Sequence, residues 1–152
     1  MGLFVSRYLN RIDKKGRVSV PAPFRTALGP QAPAGVVAYR YPNLPTVEAA
    51  GMDRAEQLAE SLDRLPQYSA ERESLSLMLA GFHHLAFDPE GRVMLPAELI
   101  QYAGLADQVL FVGVLRTFQL WEPQRFGEHH EAALKRVRER KTTLPPSSSG
   151  GI

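Results

Sequence analysis

The stretch Asp13-Lys-Lys-Gly-Arg-Val-Ser-Val-Pro-Ala22 returns 75 positions later as Asp88-Pro-Glu-Gly-Arg-Val-Met-Leu-Pro-Ala97. Asp, Gly, Arg, Val, Pro and Ala recur at the same places, and six identities in ten positions indicate an internal repeat. A second, weaker match begins at Thr46 and Thr117, at the smaller offset of 71. Each copy of the motif therefore belongs to a longer unit that occupies most of one half of the chain.

Each unit is predicted to fold as β-β-α-β-β. A first strand leads into the Asp-x-x-Gly-Arg turn, where Gly16 or Gly91 can adopt the positive φ that a tight turn requires. A second strand ends at Pro21 or Pro96, and the proline also presets the backbone for a short helix. This helix is predicted at residues 22–28 or 97–103, ended by Gly29 or Gly104. Two further strands complete each unit, near residues 36–41 and 47–50 in the first and near 109–115 and 117–121 in the second.

The predicted fold class is α+β and β-rich, with helices between and after the two units. A unit of about 45 residues with four short strands buries little apolar surface, so the two units should interlock into one pseudo-two-fold core. The Pro-, Ser- and Gly-rich end of the chain is expected to be disordered. We predict unit 1 at residues 7–54, a helical linker at 55–82, unit 2 at 83–126, a basic helix at 127–141 and a disordered tail at 142–152.

Positive charge is concentrated in the first unit. Residues 7–40 include seven basic side chains and one acidic side chain, whereas residues 83–125 include three basic and five acidic ones. The net charge of +2 is too small to single out nucleic acid as a partner. The distribution of charge, with one cationic end, is more informative than its sum.

The basic residues around the first motif form a candidate DNA-binding site. A ribbon of two strands and their turn fits the major groove, and alternation along the first strand places Arg7 and Arg11 on one face. Arginine can bond both acceptors of a guanine, whereas lysine mostly neutralises phosphate. We therefore assign base or close phosphate contacts to Arg17 and Arg11, and backbone contacts to Lys14 and Lys15. The competing interpretation is a solvated sheet edge whose charges prevent aggregation.

The remaining motif residues are predicted to shape the turns. An Asp side chain accepts backbone N–H bonds and can fix the turn that presents the arginine, which assigns Asp13 and Asp88 a structural role beside Gly16 and Gly91. Two interpretations of Arg92 stay open. It pairs with Asp88 inside the fold, or it adds a weaker DNA contact.

Several classes of function are not expected from the sequence. Cysteine is absent, which excludes disulfides and thiolate sites, and no nucleotide-binding glycine loop or nucleophile motif occurs. Adjacent histidines diverge on a strand or a helix, so neither His83-His84 nor His129-His130 makes a good metal chelate. No apolar run reaches the roughly 18 residues that span a bilayer. We therefore expect a cytoplasmic protein without enzyme activity, cofactor, metal, small-molecule substrate or membrane association.

The combination of motifs resembles the MraZ family of bacterial transcription regulators. It consists of the doubled Asp-x-x-Gly-Arg-Val-x-x-Pro-Ala pattern, Tyr-Ala-Gly-Leu at 102–105, and the segments Val-Gly-Val at 112–114 and Phe-Gln-Leu-Trp at 118–121. The resemblance covers residues 4–141. A single unit resembles the DNA-binding half of AbrB-like regulators, which implies tandem SpoVT-AbrB units in a swapped-hairpin barrel core.

The resemblance also implies a function. Members of this family are expected to be cytoplasmic, nucleoid-associated homo-oligomers of ring-like shape that bind short direct repeats of double-stranded promoter DNA. They are expected to repress their own gene and the adjacent division and cell-wall gene cluster. Their key DNA-contacting arginine lies in the first motif, at the position of Arg17. The alternative that stays open is a protein-interaction or antitoxin-like ring-forming module, in which the basic patch meets an acidic surface.

Overall fold

The computed structural model describes residues 2–147, and its fold is α+β, as predicted. Its strands are β1 (Arg7–Arg11), β2 (Arg17–Ser19), β3 (Val36–Arg40), β4 (Val47–Ala50), β5 (His83–Leu85), β6 (Arg92–Met94), β7 (Gln108–Gly113) and β8 (Phe118–Trp121). Its helices are α1 (Ala22–Leu28), α2 (Met52–Asp63), α3 (Ala70–Leu79), α4 (Ala97–Ala103) and α5 (Pro123–Arg140), and a 3₁₀ helix spans Gly29–Ala34.

Helices α1 and α4 follow the two prolines of the repeat, at the predicted bounds. Pro21 and Pro96 are the N-cap residues of these helices, where the missing N–H costs no intrahelical hydrogen bond. Gly29 and Gly104 end the helices with φ angles of 62° and 66°, which a residue with a Cβ adopts only at a cost. Proline and glycine therefore set the length of both helices.

The strands of the two halves are interleaved. Six strands form an antiparallel sheet in the order β1-β7-β8-β4-β3-β5, and β2 and β6 form a separate two-stranded sheet. The first strand of each half pairs with the third strand of the other, because β1 lies beside β7 and β5 lies beside β3. The order of the large sheet is unchanged when the halves are exchanged.

The register of two strand pairs gives the same symmetry at residue level. Val18 lies opposite Val93 in the β2–β6 pair, and these residues are equivalent at the repeat offset of 75. Glu48 lies opposite Gln119 in the β4–β8 pair, at the second offset of 71. The strand pairing is therefore that of a pseudo-two-fold arrangement whose axis passes through both pairs.

Two expectations about the sheet are wrong. The large sheet is open, so the core is not a closed barrel. β1 and β2 also do not form a two-stranded ribbon with each other, because they belong to different sheets and their segments share an isolated backbone bridge, between Ile12 and Val18, in place of a ladder. The partner half supplies the missing pairing: Val20 donates its N–H to the Gly91 carbonyl at 3.1 Å, and Leu95 donates to the Gly16 carbonyl at 2.8 Å.

The core is built from both halves. Phe24 of α1 is completely buried, and its ring lies 5.0 Å from that of Phe118 and 6.4 Å from that of Phe111, both on strands of the second half. The rings of Phe4 and Tyr8 approach it edge-on at 5.5 and 5.4 Å. Because α1 packs on strands of the second half, the two halves share one core.

The remaining helices lie between and after the halves. Ser69 caps α3 by accepting the N–H of Arg72 at 3.1 Å. Helix α5 begins at Pro123, because the Glu122 side chain caps it by accepting the backbone N–H groups of Gln124 and Arg125 at 3.0 and 2.9 Å. No helix within residues 2–147 is long and apolar enough to cross a membrane. Residues 142–147 contain no helix or strand, and the rest of the predicted tail lies outside the described residues.

Candidate nucleic-acid interface

The two Asp-x-x-Gly-Arg turns are built by the same hydrogen bonds. Asp13 Oδ1 accepts the backbone N–H groups of Lys15 and Arg17, each at 2.9 Å, and Oδ2 accepts Nε–H of Arg17 at 2.7 Å. Asp88 makes the three equivalent bonds in the second turn, at 2.9, 2.9 and 2.8 Å. One carboxylate thus closes each turn and holds the side chain of its arginine.

The glycines of the turns have positive φ and little space. Gly16 has φ 88° and Gly91 has φ 78°. A Cβ on Gly16 would lie 2.8 Å from the backbone oxygen of Leu95, and one on Gly91 would lie 2.6 Å from the guanidinium carbon of Arg25. The contact at Gly16 is with the backbone of the opposite half, so a side chain there would displace the two halves, whereas the contact at Gly91 is with the end of the flexible Arg25 side chain, which can move aside.

The carboxylates of the turns are ionised at neutral pH. Hydrogen bonds from the backbone and side chain of Arg17 lower the pKa of Asp13 below its ordinary value of 3.8. Arg92 does the same for the pKa of Asp88, and its bond to that carboxylate raises the pKa of Arg92 itself. A carboxylate that accepts several N–H bonds keeps its charge, so both ion pairs persist at physiological pH.

The β2–β6 ribbon brings the two motif arginines onto one surface. Val18 and Val93 point into the core, so the side chains that alternate with them face solvent. Arg17 lies opposite Met94, and Ser19 lies opposite Arg92. The two arginines are therefore diagonal neighbours on the exposed face of the ribbon.

The two turns differ in charge at two equivalent positions, because Lys14 and Lys15 correspond to Pro89 and Glu90. Arg92 has a second acidic partner, because its Nη2 lies 3.2 Å from a carboxylate oxygen of Glu90. The equivalent residue of the first turn is Lys15. Within residues 2–147, Arg17 has Asp13 as its one acidic partner within 4.0 Å, and this bond uses Nε. The two terminal nitrogens of Arg17 thus stay available, whereas those of Arg92 are partly occupied.

The predicted site residues fall into two groups. Lys14, Lys15 and Arg17 lie in the first turn and at the start of the ribbon. Arg7 and Arg11 lie on β1, on the exposed face of the six-stranded sheet, as the alternation predicts. The guanidinium of Arg7 lies over the ring of Phe126 in α5, 5.4 Å from its centre, so it belongs to a different surface from the ribbon.

Sequence reasoning did not identify three residues of the ribbon surface. Ser19 and the largely exposed Met94 lie on the ribbon face beside the arginines. Asn10 donates from Nδ2 to the Ser19 carbonyl at 2.7 Å and ties β1 to β2. The two-residue spacing between Arg17 and Ser19 could have predicted that they share one face of the strand. Met94 could not have been found in this way, because it lies beside Arg17 only through the register of the strand pair.

The histidines of the described residues contact different neighbours. His83 Nε2 lies 3.5 Å from a Glu98 oxygen, and His84 contacts the Ala34 carbonyl. His129 packs against Trp121. No group of three His, Cys, Asp or Glu side chains that could hold a metal ion occurs among residues 2–147.

Comparison with known proteins identifies the family. The profile described as "MraZ protein, putative antitoxin-like" matches residues 78–143. The "Transcriptional regulator MraZ" of Rickettsia bellii is 43% identical over 146 residues, which cover 95% of this chain and 97% of that protein. The chain belongs to the MraZ family. The MraZ regulators of Rickettsia canadensis and Rickettsia rickettsii are 41% and 40% identical over 145 residues, with the same coverage.

Membership in the MraZ family settles the class of function. The chain is a transcriptional regulator and not an enzyme. The resemblance inferred from the doubled motif is thereby confirmed. The family profile covers the second motif and α5, whereas the Rickettsia relatives align with both halves.

Proposed function

We propose that this MraZ-family chain binds double-stranded DNA in a sequence-specific way through its first turn and the exposed face of the β2–β6 ribbon. The observation that carries this proposal is the state of Arg17. Its Nε is held by Asp13, its side chain is 36% exposed, and no other acidic side chain of residues 2–147 lies within 4.0 Å of its terminal nitrogens. Lys14 and Lys15 are exposed beside it.

The residue types of the first turn match the two kinds of contact in DNA recognition, which are contacts to bases and contacts to phosphates. An arginine fixed through Nε presents its two terminal nitrogens as a planar fork, which fits the O6 and N7 acceptors of guanine. The lysines are flexible point charges suited to the phosphates on either side. We assign base contact to Arg17, backbone contact to Lys14 and Lys15, and a peripheral backbone contact to Arg7 and Arg11 on β1.

The second turn is proposed to maintain the structure of the ribbon and to add little to the electrostatic attraction of DNA. Asp88 and Glu90 both hold Arg92, so the acidic side chains of this turn outnumber its single base. DNA phosphates would be repelled there. We assign Arg92 and Asp88, like Asp13, Gly16 and Gly91, to maintaining the ribbon, and we expect Arg92 to add at most a weak contact.

The wider biology is proposed from the family resemblance. We infer that several copies assemble into a ring-like homo-oligomer that reads direct repeats in the promoter of its own gene and represses it with the adjacent division and cell-wall gene cluster. Avidity would compensate for the few basic residues that each copy contributes. Exposed Leu134 and Val137 on α5 support an assembly surface. The location that follows is the nucleoid, in the cytoplasm.

Titration of labelled DNA from upstream of the gene tests this proposal. We expect selective binding by fluorescence anisotropy against a scrambled duplex of the same length. The logarithm of the association constant should fall linearly with the logarithm of salt concentration, by about 0.9 for each phosphate neutralised on duplex DNA. Equal binding of both duplexes at every salt concentration would contradict sequence-specific recognition.

Replacing Glu90 by lysine should strengthen DNA binding. The change raises the formal charge of residues 88–92 from −1 to +1, towards the +2 of residues 13–17, and releases Nη2 of Arg92, so we expect several-fold tighter binding at low salt. The salt dependence should steepen by about 0.9 if one more phosphate is neutralised. Glu60→Lys makes the same charge change on an exposed position of α2 and is the control. An equal gain in both variants would show that net charge, and not the ribbon, determines affinity.

The second candidate function is the antitoxin-like or protein-interaction module. It is favoured by the match to a family described as antitoxin-like and by the exposed apolar side chains of α5. This module would keep its partner and its oligomeric state when the first turn loses its charge. Absence of selective DNA binding in the titration would favour it.

A further inference from the structure

A cavity lies beside strands β3 and β4, and no residue of the two motif turns lines it. It has a volume of about 570 Å³, and its other walls are formed by α2, the end of α3 and α4. Small-molecule sites are clefts of roughly 300–1,000 Å³, mostly apolar, with a few placed polar groups. The size and position of the cavity are those of a ligand site, and none of the predicted DNA-contacting residues lines it.

Two guanidinium groups line the cavity. Arg40 pairs with Glu98 at 2.7 Å, whereas Arg54 of α2 has no carboxylate partner among the described residues. Its Nε is buried and has no hydrogen-bond partner among the described residues. Its Nη1 lies 3.3 Å from Gln57 Oε1, and no carboxylate within residues 2–147 lies within 4.0 Å of the guanidinium. A guanidinium without a carboxylate partner at the wall of a mainly apolar cavity favours an anion supplied from outside the chain.

The neighbouring carboxylate of Glu48 does not serve as that acceptor. Its two oxygens already accept bonds from the Tyr39 hydroxyl at 2.5 Å, the Thr117 hydroxyl at 3.0 Å and Gln119 Nε2 at 3.3 Å. Burial and the bond to Glu48 raise the pKa of Tyr39, so its hydroxyl stays protonated and keeps donating. Three neutral donors thus satisfy Glu48, and among the described residues the charge of Arg54 is left without a carboxylate partner.

The walls of the cavity are apolar and aromatic. The rings of Tyr39 and Phe82 are stacked 4.2 Å apart with an interplanar angle of 6°. Leu58 of α2 and Tyr102 of α4 line the same space, and Met78, about half exposed, lies at its rim. These side chains would cover a ring or a branched aliphatic group.

We propose that this cavity binds a small amphipathic anion. Its carboxylate, sulfonate or phosphate group accepts hydrogen bonds from the terminal N–H groups of Arg54, which lines the cavity. Its apolar body packs against Leu58, the Tyr39–Phe82 stack and Tyr102. This site is separate from the ribbon, so the proposal does not depend on how the chain contacts DNA.

The probe for this site is 1-anilinonaphthalene-8-sulfonate, an aromatic anion whose fluorescence rises when it leaves water. Titration of the full chain should give saturable binding to one site. Arg54→Gln should weaken binding about tenfold, because a charge-assisted hydrogen bond is lost. Arg64→Gln removes the same charge from an exposed position at the end of α2 and should leave binding unchanged. Equal affinity of the Arg54→Gln and wild-type proteins would overturn the proposal.

Two further measurements keep the test decisive if Arg54→Gln does not fold. N-phenyl-1-naphthylamine lacks the sulfonate and should bind the wild-type protein at least tenfold more weakly; equal affinity would overturn the proposal. Leu58→Trp should fill the cavity and abolish saturable binding of the anionic probe. Retention of the site in a folded Leu58→Trp protein would show that the probe binds elsewhere, which also overturns the proposal.

Discussion

Arg17→Ala is expected to weaken binding to promoter DNA by about 10- to 100-fold for each engaged copy. A bidentate arginine contributes about 1–3 kcal/mol of discrimination in base contacts. The fold should change little, because the Asp13–Arg17 pair is over a third exposed and such pairs contribute little to stability. Anisotropy titrations, together with thermal unfolding of each variant, measure both effects.

Two substitutions define what the loss at Arg17 means. Arg17→Lys keeps the charge but not the fork, so it should retain part of the affinity and lose discrimination between guanine and other bases. Arg116→Ala is the matched control. Arg116 is exposed and lies just beyond β7, near the start of β1, whereas the first turn follows the other end of β1. Loss of binding in Arg116→Ala as large as in Arg17→Ala would contradict the assignment of the ribbon.

Phe24→Ala is expected to lower the free energy of unfolding by about 3–5 kcal/mol, the usual cost of truncating a buried phenylalanine. The reason is the position of the ring, which is completely buried among four aromatic rings from both halves of the chain. A loss of this size is a large fraction of the stability of an ordinary domain. Urea unfolding followed by circular dichroism measures it.

The unfolding experiment also tests whether the halves are independent. Tyr68→Ala removes an aromatic ring that is 91% exposed and should change stability by less than about 0.5 kcal/mol. In Phe24→Ala, the transition should stay single and move as a whole. Two separated transitions, or a loss comparable to that of Tyr68→Ala, would show that the core is not shared in the way described above.

The local structure could be predicted from the sequence because it is encoded locally. Proline and glycine mark the ends of α1 and α4, and the bounds of both helices agree with the structure. The exposed face of β1 also follows from the alternation of Arg7 and Arg11. The hydrogen bonds of Asp13 are of the local kind that a short side chain makes with its own turn.

Strand partners could not be predicted in the same way. The period-2 pattern of β1 is satisfied equally by β2 or β7, and the open sheet shows that interlocking does not require a closed barrel. The neighbourhood of Arg17 depends on this choice, because Met94 and Arg92 reach it only through the β2–β6 register. The ion pair between Arg92 and Glu90 could have been predicted from the sequence, since the two residues are two positions apart in an exposed turn.

Because the strands of its two halves are interleaved, the single chain resembles a dimer whose two subunits have been joined covalently. Two separate copies of a β-β-α-β-β unit paired in this manner would have to present identical turns, because exchanging the copies would leave the pair unchanged. Joining them through the segment that carries α2 and α3 removes that constraint while the pairing of β2 with β6 is kept. Lys15 and Glu90 occupy equivalent places with opposite charge. Fusion thus allows one turn to carry the positive charge while the equivalent turn keeps a structural role. A homodimer of identical chains cannot have this asymmetry.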